Sequence, residues 1–129
     1  MGEFGVGKRS ATSRSLERLR KDGAMVQLVE TTNVWSGTKK DLFGFLDVLA
    51  LYPGRIVGIQ VTGGGNLSAR RKKILGERRK QSLAWLHAGG EVLIHDWRKT
   101  KPRRGGKALR WTCREVAITL EDYLDDVWD

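Results

Sequence analysis

The chain has 129 residues, enough for one domain with a modest core, and carries 24 Lys and Arg against 15 Asp and Glu, a net charge of +9 at pH 7. Such an excess predicts a polyanionic partner, nucleic acid ahead of an anionic membrane surface. One cysteine, Cys113, and two histidines exclude an internal disulfide framework and leave too few soft ligands for a structural zinc site. No apolar run nears the roughly 18 residues of a membrane span and no secretion signal is evident, so no membrane association and a cytoplasmic location are expected.

Residues 1–12, with Gly2, Gly5 and Gly7 and few apolar side chains, read as a flexible arm ahead of one domain over 13–129. GEFGVGK (2–8) nearly matches a phosphate-binding loop, but Arg9 stands where a magnesium-holding Ser or Thr is needed, and no strand precedes it. TSRSLERLRKDG predicts a helix capped by Thr12 or Ser13, with Leu16 and Leu19 inward and Gly23 as the stop. Ala24 to Glu30 reads as a strand and TTNVWSGTKK (31–40) as a polar loop. DLFGFLDVLAL and RIVGIQVT read as two strands joined at Tyr52-Pro53-Gly54, and GGGN ends the second. One long helix is expected from Ser68 to Ala88, stopped by Gly89-Gly90. There follow a strand, EVLIHDW, a basic loop, RKTKPRRGGK, a short edge strand in ALRWTCREV, and an acidic C-terminal helix. A strand–helix–strand crossover after a hairpin implies a mixed sheet flanked by helices, an α/β architecture.

From Ser68 to Arg104 there are 12 basic residues against Glu77, Glu91 and Asp96, whereas Glu115 to Asp129 holds six acids and no base. An excess spanning both a helix and a loop favours a phosphate-facing surface over an ordinary solvated face. It nominates Arg70, Arg71, Lys72, Lys73, Arg103 and Arg104 for DNA binding, with Lys39 and Lys40 in the earlier polar loop.

LDVLALYPGRIVGIQVT (46–62) has the pattern of a buried hairpin yet contains Asp47, Gln60 and Thr62. If Leu51 faces Ile56, Asp47 lies opposite Gln60 and Phe45 opposite Thr62, and period-two alternation puts Thr62 on the same face as Gln60. A one-residue slip would separate the pair. Asp41, six residues before Asp47, shares that face if the strand is regular; a loop-to-strand cap is its other reading. A carboxylate beside an amide carbonyl is either a self-satisfying hydrogen bond or half of a site for a hard cation such as Mg²⁺ or Mn²⁺.

The stretch resembles the core of the PD-(D/E)XK nuclease superfamily and is most similar to archaeal-type Holliday junction resolvases and related phage and repair nucleases. LERLRKDGAMVQLVE resembles their opening helix and first strand, GGGNLSARRKK the polar loop after the motif strand, and QSLAWLHAGGEVLIHDW the closing helix, glycine stop and strand. The resemblance covers about residues 12–98. It implies a restriction-endonuclease-like mixed β-sheet of four to five strands flanked by helices. It also implies a Mg²⁺- or Mn²⁺-dependent endonuclease hydrolysing phosphodiester bonds in branched or structured DNA, acting as a homodimer in the cytoplasm of a prokaryote or a phage-infected host cell.

Position by position, Asp47 takes the place of the family's metal-binding Asp, Gln60 that of its Glu and Thr62 that of its Lys, with the Val61 backbone carbonyl as a further metal ligand. Two of the three motif positions therefore depart from the pattern. Replacing Glu by Gln removes a negative charge, for which Glu17 on the first helix, Glu30 at the end of the first strand, and Asp41 are the compensating carboxylates. Replacing Lys by Thr removes a cation, for which Lys39, Lys40, Lys72 and Lys73 are the substitutes. Gln81 falls where some relatives carry a site-facing Gln. A nuclease-fold DNA-binding module without catalysis and an RNA- or ribosome-associated basic protein are the alternatives, and a buried carboxylate counts against the latter. Trp35 is the one tryptophan placed to touch DNA, with core packing as its plainer role; His87 and His95 read as structural.

Overall fold

A computed structural model describes residues 10–101 and 108–127. Helix α1 (Ala11–Lys21) is capped by Ser10, whose Oγ accepts a 3.0 Å bond from the Ser13 N–H. The helix thus starts earlier than a Thr12 or Ser13 cap would set it, and Ser10 to Thr12 belong to the domain rather than to an arm. Residues 1–9 lie outside the described residues, as do Arg103 and Arg104. Gly23, at φ +96, releases the chain into β1 (Met25–Leu28). A small hairpin follows, β2 (Thr31–Thr32) against β3 (Lys39–Lys40), where a polar loop was expected.

β4 (Val48–Tyr52) and β5 (Arg55–Gly63) pair antiparallel with Leu51 opposite Ile56, the register the hydrophobic pattern requires. Their turn is Pro53-Gly54, Pro presetting its own φ and Gly54 supplying φ +73. Helices α2 (Leu67–Leu75) and α3 (Arg79–His87) then cross over to β6 (Glu91–Thr100), which runs parallel to β5. β7 (Arg110–Ile118) pairs antiparallel with β6 at the sheet edge, and α4 (Leu120–Val127) ends the described chain. The result is a five-stranded mixed sheet, order β1-β4-β5-β6-β7, flanked by helices in the α/β manner expected.

Alternation sorts the sheet into two faces. Val48, Ala50, Val57, Ile59, Val61 and Trp97 pack under Leu19 of α1. On the other face Phe45, Leu46, Val92, Ile94 and Ile118 pack with Leu67, Ile74 and Leu75 of α2 and Tyr123 of α4. Each such side chain, fully buried, contributes about 2 kcal/mol of transfer free energy.

Two expected elements are broken, each for a local reason. The helix expected over 68–88 stops at Gly76, whose helix propensity is about 1 kcal/mol below that of alanine, and restarts at Arg79. The Ile74 carbonyl near the break is met by the buried Ser82 hydroxyl at 3.1 Å. The strand expected from Asp41 to Leu51 starts only at Val48. Asp41 to Leu46 instead form a tight turn, with Phe43 at φ 54 and Gly44 at φ +82 and a Leu46 N–H to Leu42 carbonyl bond of 3.0 Å. Phe45 is therefore a core side chain beside a turn, outside the β4–β5 ladder and without a strand pairing to Thr62.

Candidate functional site

The Asp41–Leu46 turn is fastened from two sides. Leu46 packs over Gly58, where any side chain would meet the leucine methyls at 2.6 Å. Arg78, freed by the break between α2 and α3, donates from Nε to the Gly44 carbonyl at 3.0 Å. Any side chain at Gly44 would collide with that guanidinium. The chain then enters β4 through Asp47, whose N–H donates to Ile59 O at 2.9 Å while its own carbonyl accepts from Val29 N at 2.9 Å. That second bond draws the segment after β1 alongside, and with it Glu30.

Three carboxylates converge as a result. One oxygen each of Glu30, Asp41 and Asp47 lies within 4.8 Å of the others, with Asp47 buried and the other two half-buried. Asp41 arrives by the turn, not by the strand alternation expected for it. Asp47 Oδ2 accepts from Gln60 Nε2 and from the Val61 N–H, both at 2.8 Å. The ladder thus brings the amide of Val61, as well as its neighbour Gln60, to the carboxylate. Burial, the hydrogen-bonded Asp41 carboxyl, and the charges of Asp41 and Glu30 together push the Asp47 carboxyl up to about 7, against the lowering effect of the Val61 N–H. Like charges this close require a shared proton or a cation.

Gln60 is 2 % exposed and its Oε1, the acceptor left over after Nε2 has bonded Asp47, has no hydrogen-bond partner. Three clustered carboxylates, with an unpartnered carbonyl on the amide that bonds Asp47, are hard oxygen donors of the kind that suits Mg²⁺ or Mn²⁺. These residues fit a divalent cation on chemical grounds. Lys39 reaches the rim: its Nζ lies 3.7 Å from Glu30 Oε1.

The other nominated residues fall elsewhere. Glu17 stands with Lys21 at 3.4 Å and lines a hollow with Arg14, Trp97 and Trp111, outside the carboxylate group. Thr62 is buried and opposite Asp96 across the parallel β5–β6 pair. Lys40 is exposed on the hairpin. On α2, Arg71 is committed to Asp122 of α4 at 2.9 Å, while Lys72 is exposed and Arg70 and Lys73 are half-buried. The acidic C-terminal segment therefore packs against the basic helix through Arg71. Gln81 lines an apolar hollow with Phe43 and Trp85 rather than the carboxylate group. Trp35 is 94 % exposed, so core packing is not its role.

Two features were not read from the sequence. Asp96 is fully buried, with Oδ2 near Arg98 at 3.3 Å and Oδ1 unpartnered. The signal was available, since an acid at an apolar-face position of EVLIHDW needs a reason. On the opposite face Ser15, His95, Trp97 and Glu115 form a hydrogen-bonded chain. Trp97 Nε1 donates to Ser15 Oγ and Ser15 Oγ lies 2.8 Å from His95 Nδ1, while His95 Nε2 lies 2.8 Å from Glu115 Oε2. Burial lowers the His95 imidazole below its ordinary range despite the Glu115 bond. Ser15 is fully buried, so this serine–histidine–glutamate order is structural and has no accessible nucleophile.

No protein-family model matches the chain, and no curated protein matches it. Among the described residues, no helix is long and apolar enough to cross a membrane.

Proposed function

We propose that this chain is a divalent-metal-dependent DNA endonuclease that hydrolyses phosphodiester bonds in branched or structured DNA. The observation that carries the reading is the convergence of Glu30, Asp41 and Asp47, with Gln60 bonded to Asp47 and its carbonyl left unpartnered. The net charge of +9 and the likeness of 46–62 to the PD-(D/E)XK core support it. Glu30, Asp41, Asp47 and Gln60 would hold Mg²⁺ or Mn²⁺, with the Val61 carbonyl as a further ligand. The bound ion supplies an activated water and offsets charge on the scissile phosphate. Lys39 brings the positive charge that Thr62 lacks, and Lys40, Lys72, Lys73 and Arg70 draw in the DNA backbone. A homodimer in the cytoplasm suits paired cuts in a symmetric substrate.

A second reading, a nuclease-fold DNA-binding module without catalysis, is favoured by one observation: the family's lysine position is a buried threonine. Incubation of supercoiled plasmid, linear duplex and a four-way junction with Mn²⁺ separates the two. Metal-dependent nicking that vanishes in Asp47→Ala and persists in Thr62→Lys supports the endonuclease. An inert native chain that Thr62→Lys converts into a nuclease would leave the binding module standing.

A further inference from the structure

The hairpin over 31–40 is inserted between two of the three clustered carboxylates. It leaves the fold one residue after Glu30 and rejoins it one residue before Asp41. Its orientation is therefore tied to the centre at both ends. Its tip is built stiffly from polar groups. Asn33 Oδ1 accepts from the N–H groups of Trp35 and Ser36 at 2.8 and 3.2 Å. Asn33 N donates to Thr38 O at 2.8 Å, and the Ser36 hydroxyl donates to Thr38 Oγ1 at 2.9 Å. What this fixed turn displays is the indole of Trp35, with Val34 beside it at 86 % exposure. The return strand carries Lys39 and Lys40.

An indole held out on a fixed turn offers a flat face to a partner. A protein partner requires a patch of roughly 800 Å² on each side, and one tryptophan and one valine among Asn, Ser, Thr and Lys are far short of that. A nucleobase requires only a π-face, with cations alongside for its phosphates. Within a duplex both faces of each base are already stacked, and uncovering one costs a few kcal/mol. An unpaired base offers its face freely. With strands rising about 3.3 Å per residue, the ring stands on the order of 15 Å from the carboxylates, a few nucleotides along a strand.

We infer that the hairpin is a base-stacking finger: Trp35 stacks on an unpaired nucleobase a few nucleotides from the phosphate at the Glu30–Asp41–Asp47 centre, which directs that centre to DNA with unpaired bases beside a duplex. The inference rests on the nuclease reading for its substrate, and its test is read separately from cleavage. The full chain, in EDTA, is titrated against a forked oligonucleotide and a blunt duplex of equal length, as wild type, Trp35→Ala and Trp35→Phe. With the side chain 94 % exposed, the thermal midpoint of the folded chain stays unchanged. Trp35→Ala lowers fork affinity roughly tenfold and leaves duplex affinity and the salt slope unaltered, because no phosphate contact is lost. Trp35→Phe recovers most of the loss. Equal weakening on fork and duplex, no weakening, or no rescue by phenylalanine overturns the finger. Loss of cleavage on every DNA in Mn²⁺, with the Trp35-dependent fork preference intact, would instead overturn the nuclease reading alone.

Discussion

Replacing Asp47 by Asn should make the metal-free protein more stable, the reverse of what a polar change in a buried site normally does. The Asp47 carboxyl is raised from 3.8 to about 7 in the fold. A group raised in this way contributes stability that is present below its unfolded value and lost as the pH climbs through its folded value. A little over three pH units at 1.36 kcal/mol each makes ionised Asp47 a liability of about 4 kcal/mol at pH 8. The isosteric amide removes that liability. Its oxygen can accept from Gln60 Nε2 and Val61 N–H as Oδ2 does now, while its NH₂ donates to Asp41. Exchanging a charged acceptor for a neutral one gives back about 1 kcal/mol. The net gain is about 2–3 kcal/mol, or roughly 5–10 °C in thermal midpoint for a domain of this size. At pH 5, below the raised value, the liability shrinks to about 2 kcal/mol and most of the gain disappears. Adding Mn²⁺ at a hundred times its dissociation constant should raise the wild type by about 2.7 kcal/mol and the variant by none. Thermal unfolding at pH 5 and 8, with and without Mn²⁺, reads all of this. A variant less stable than wild type at pH 8, with an undiminished Mn²⁺ shift, would show Asp47 to be an ordinary hydrogen-bonded carboxylate and refute the reasoning.

Two further predictions follow from groups outside the centre. His95 is lowered by burial, so its neutral form stabilises the fold above the ordinary histidine value and that contribution falls as acid protonates the unfolded chain first; denaturant unfolding of wild type against His95→Gln should show the difference shrinking below about pH 6.5, and a pH-independent difference would mean that burial leaves the ring's proton affinity unchanged. Lys72→Ala should weaken DNA binding equally on all sequences and lower the salt slope by about one, whereas Arg71→Ala, by breaking the half-buried pair with Asp122, should chiefly loosen α4, seen as faster hydrogen exchange there; equal salt-slope changes in both variants would contradict that division.

Register was the most legible property of the sequence. Gly54 after Pro53 and the apolar alternation on both sides favoured closing the β4–β5 hairpin with Leu51 opposite Ile56, and in that register Asp47 meets Gln60. Sheet class followed from the crossover. What escaped prediction depended on tertiary partners. Asp41 lies near Asp47 because Phe43 and Gly44 adopt positive φ under the hold of Arg78 and Leu46, and no local pattern encodes a partner 34 residues away. Gly76 was a visible breaker inside a strongly helical run, and its neighbours' helix propensity masked it. The hairpin over 31–40 is too short and too polar for an alternating signal, its strands being two residues each.

The bonds from Ser15 to His95 and Trp97 join positions 80 and 82 apart in sequence. Bringing such distant positions together costs chain entropy that grows with the loop enclosed, and the reward comes only once both ends are in place. The partner strand β6 is itself positioned only after the chain has crossed over from β5. α1 can lie on β1, β4 and β5 before β6 exists, but its seat is complete only when β6 brings His95 and Trp97 to Ser15. During synthesis, the Ser15 hydroxyl stays without these partners until the residues around Trp97 have emerged. The first helix thus has its buried polar side chain satisfied only by a strand made some 80 residues later.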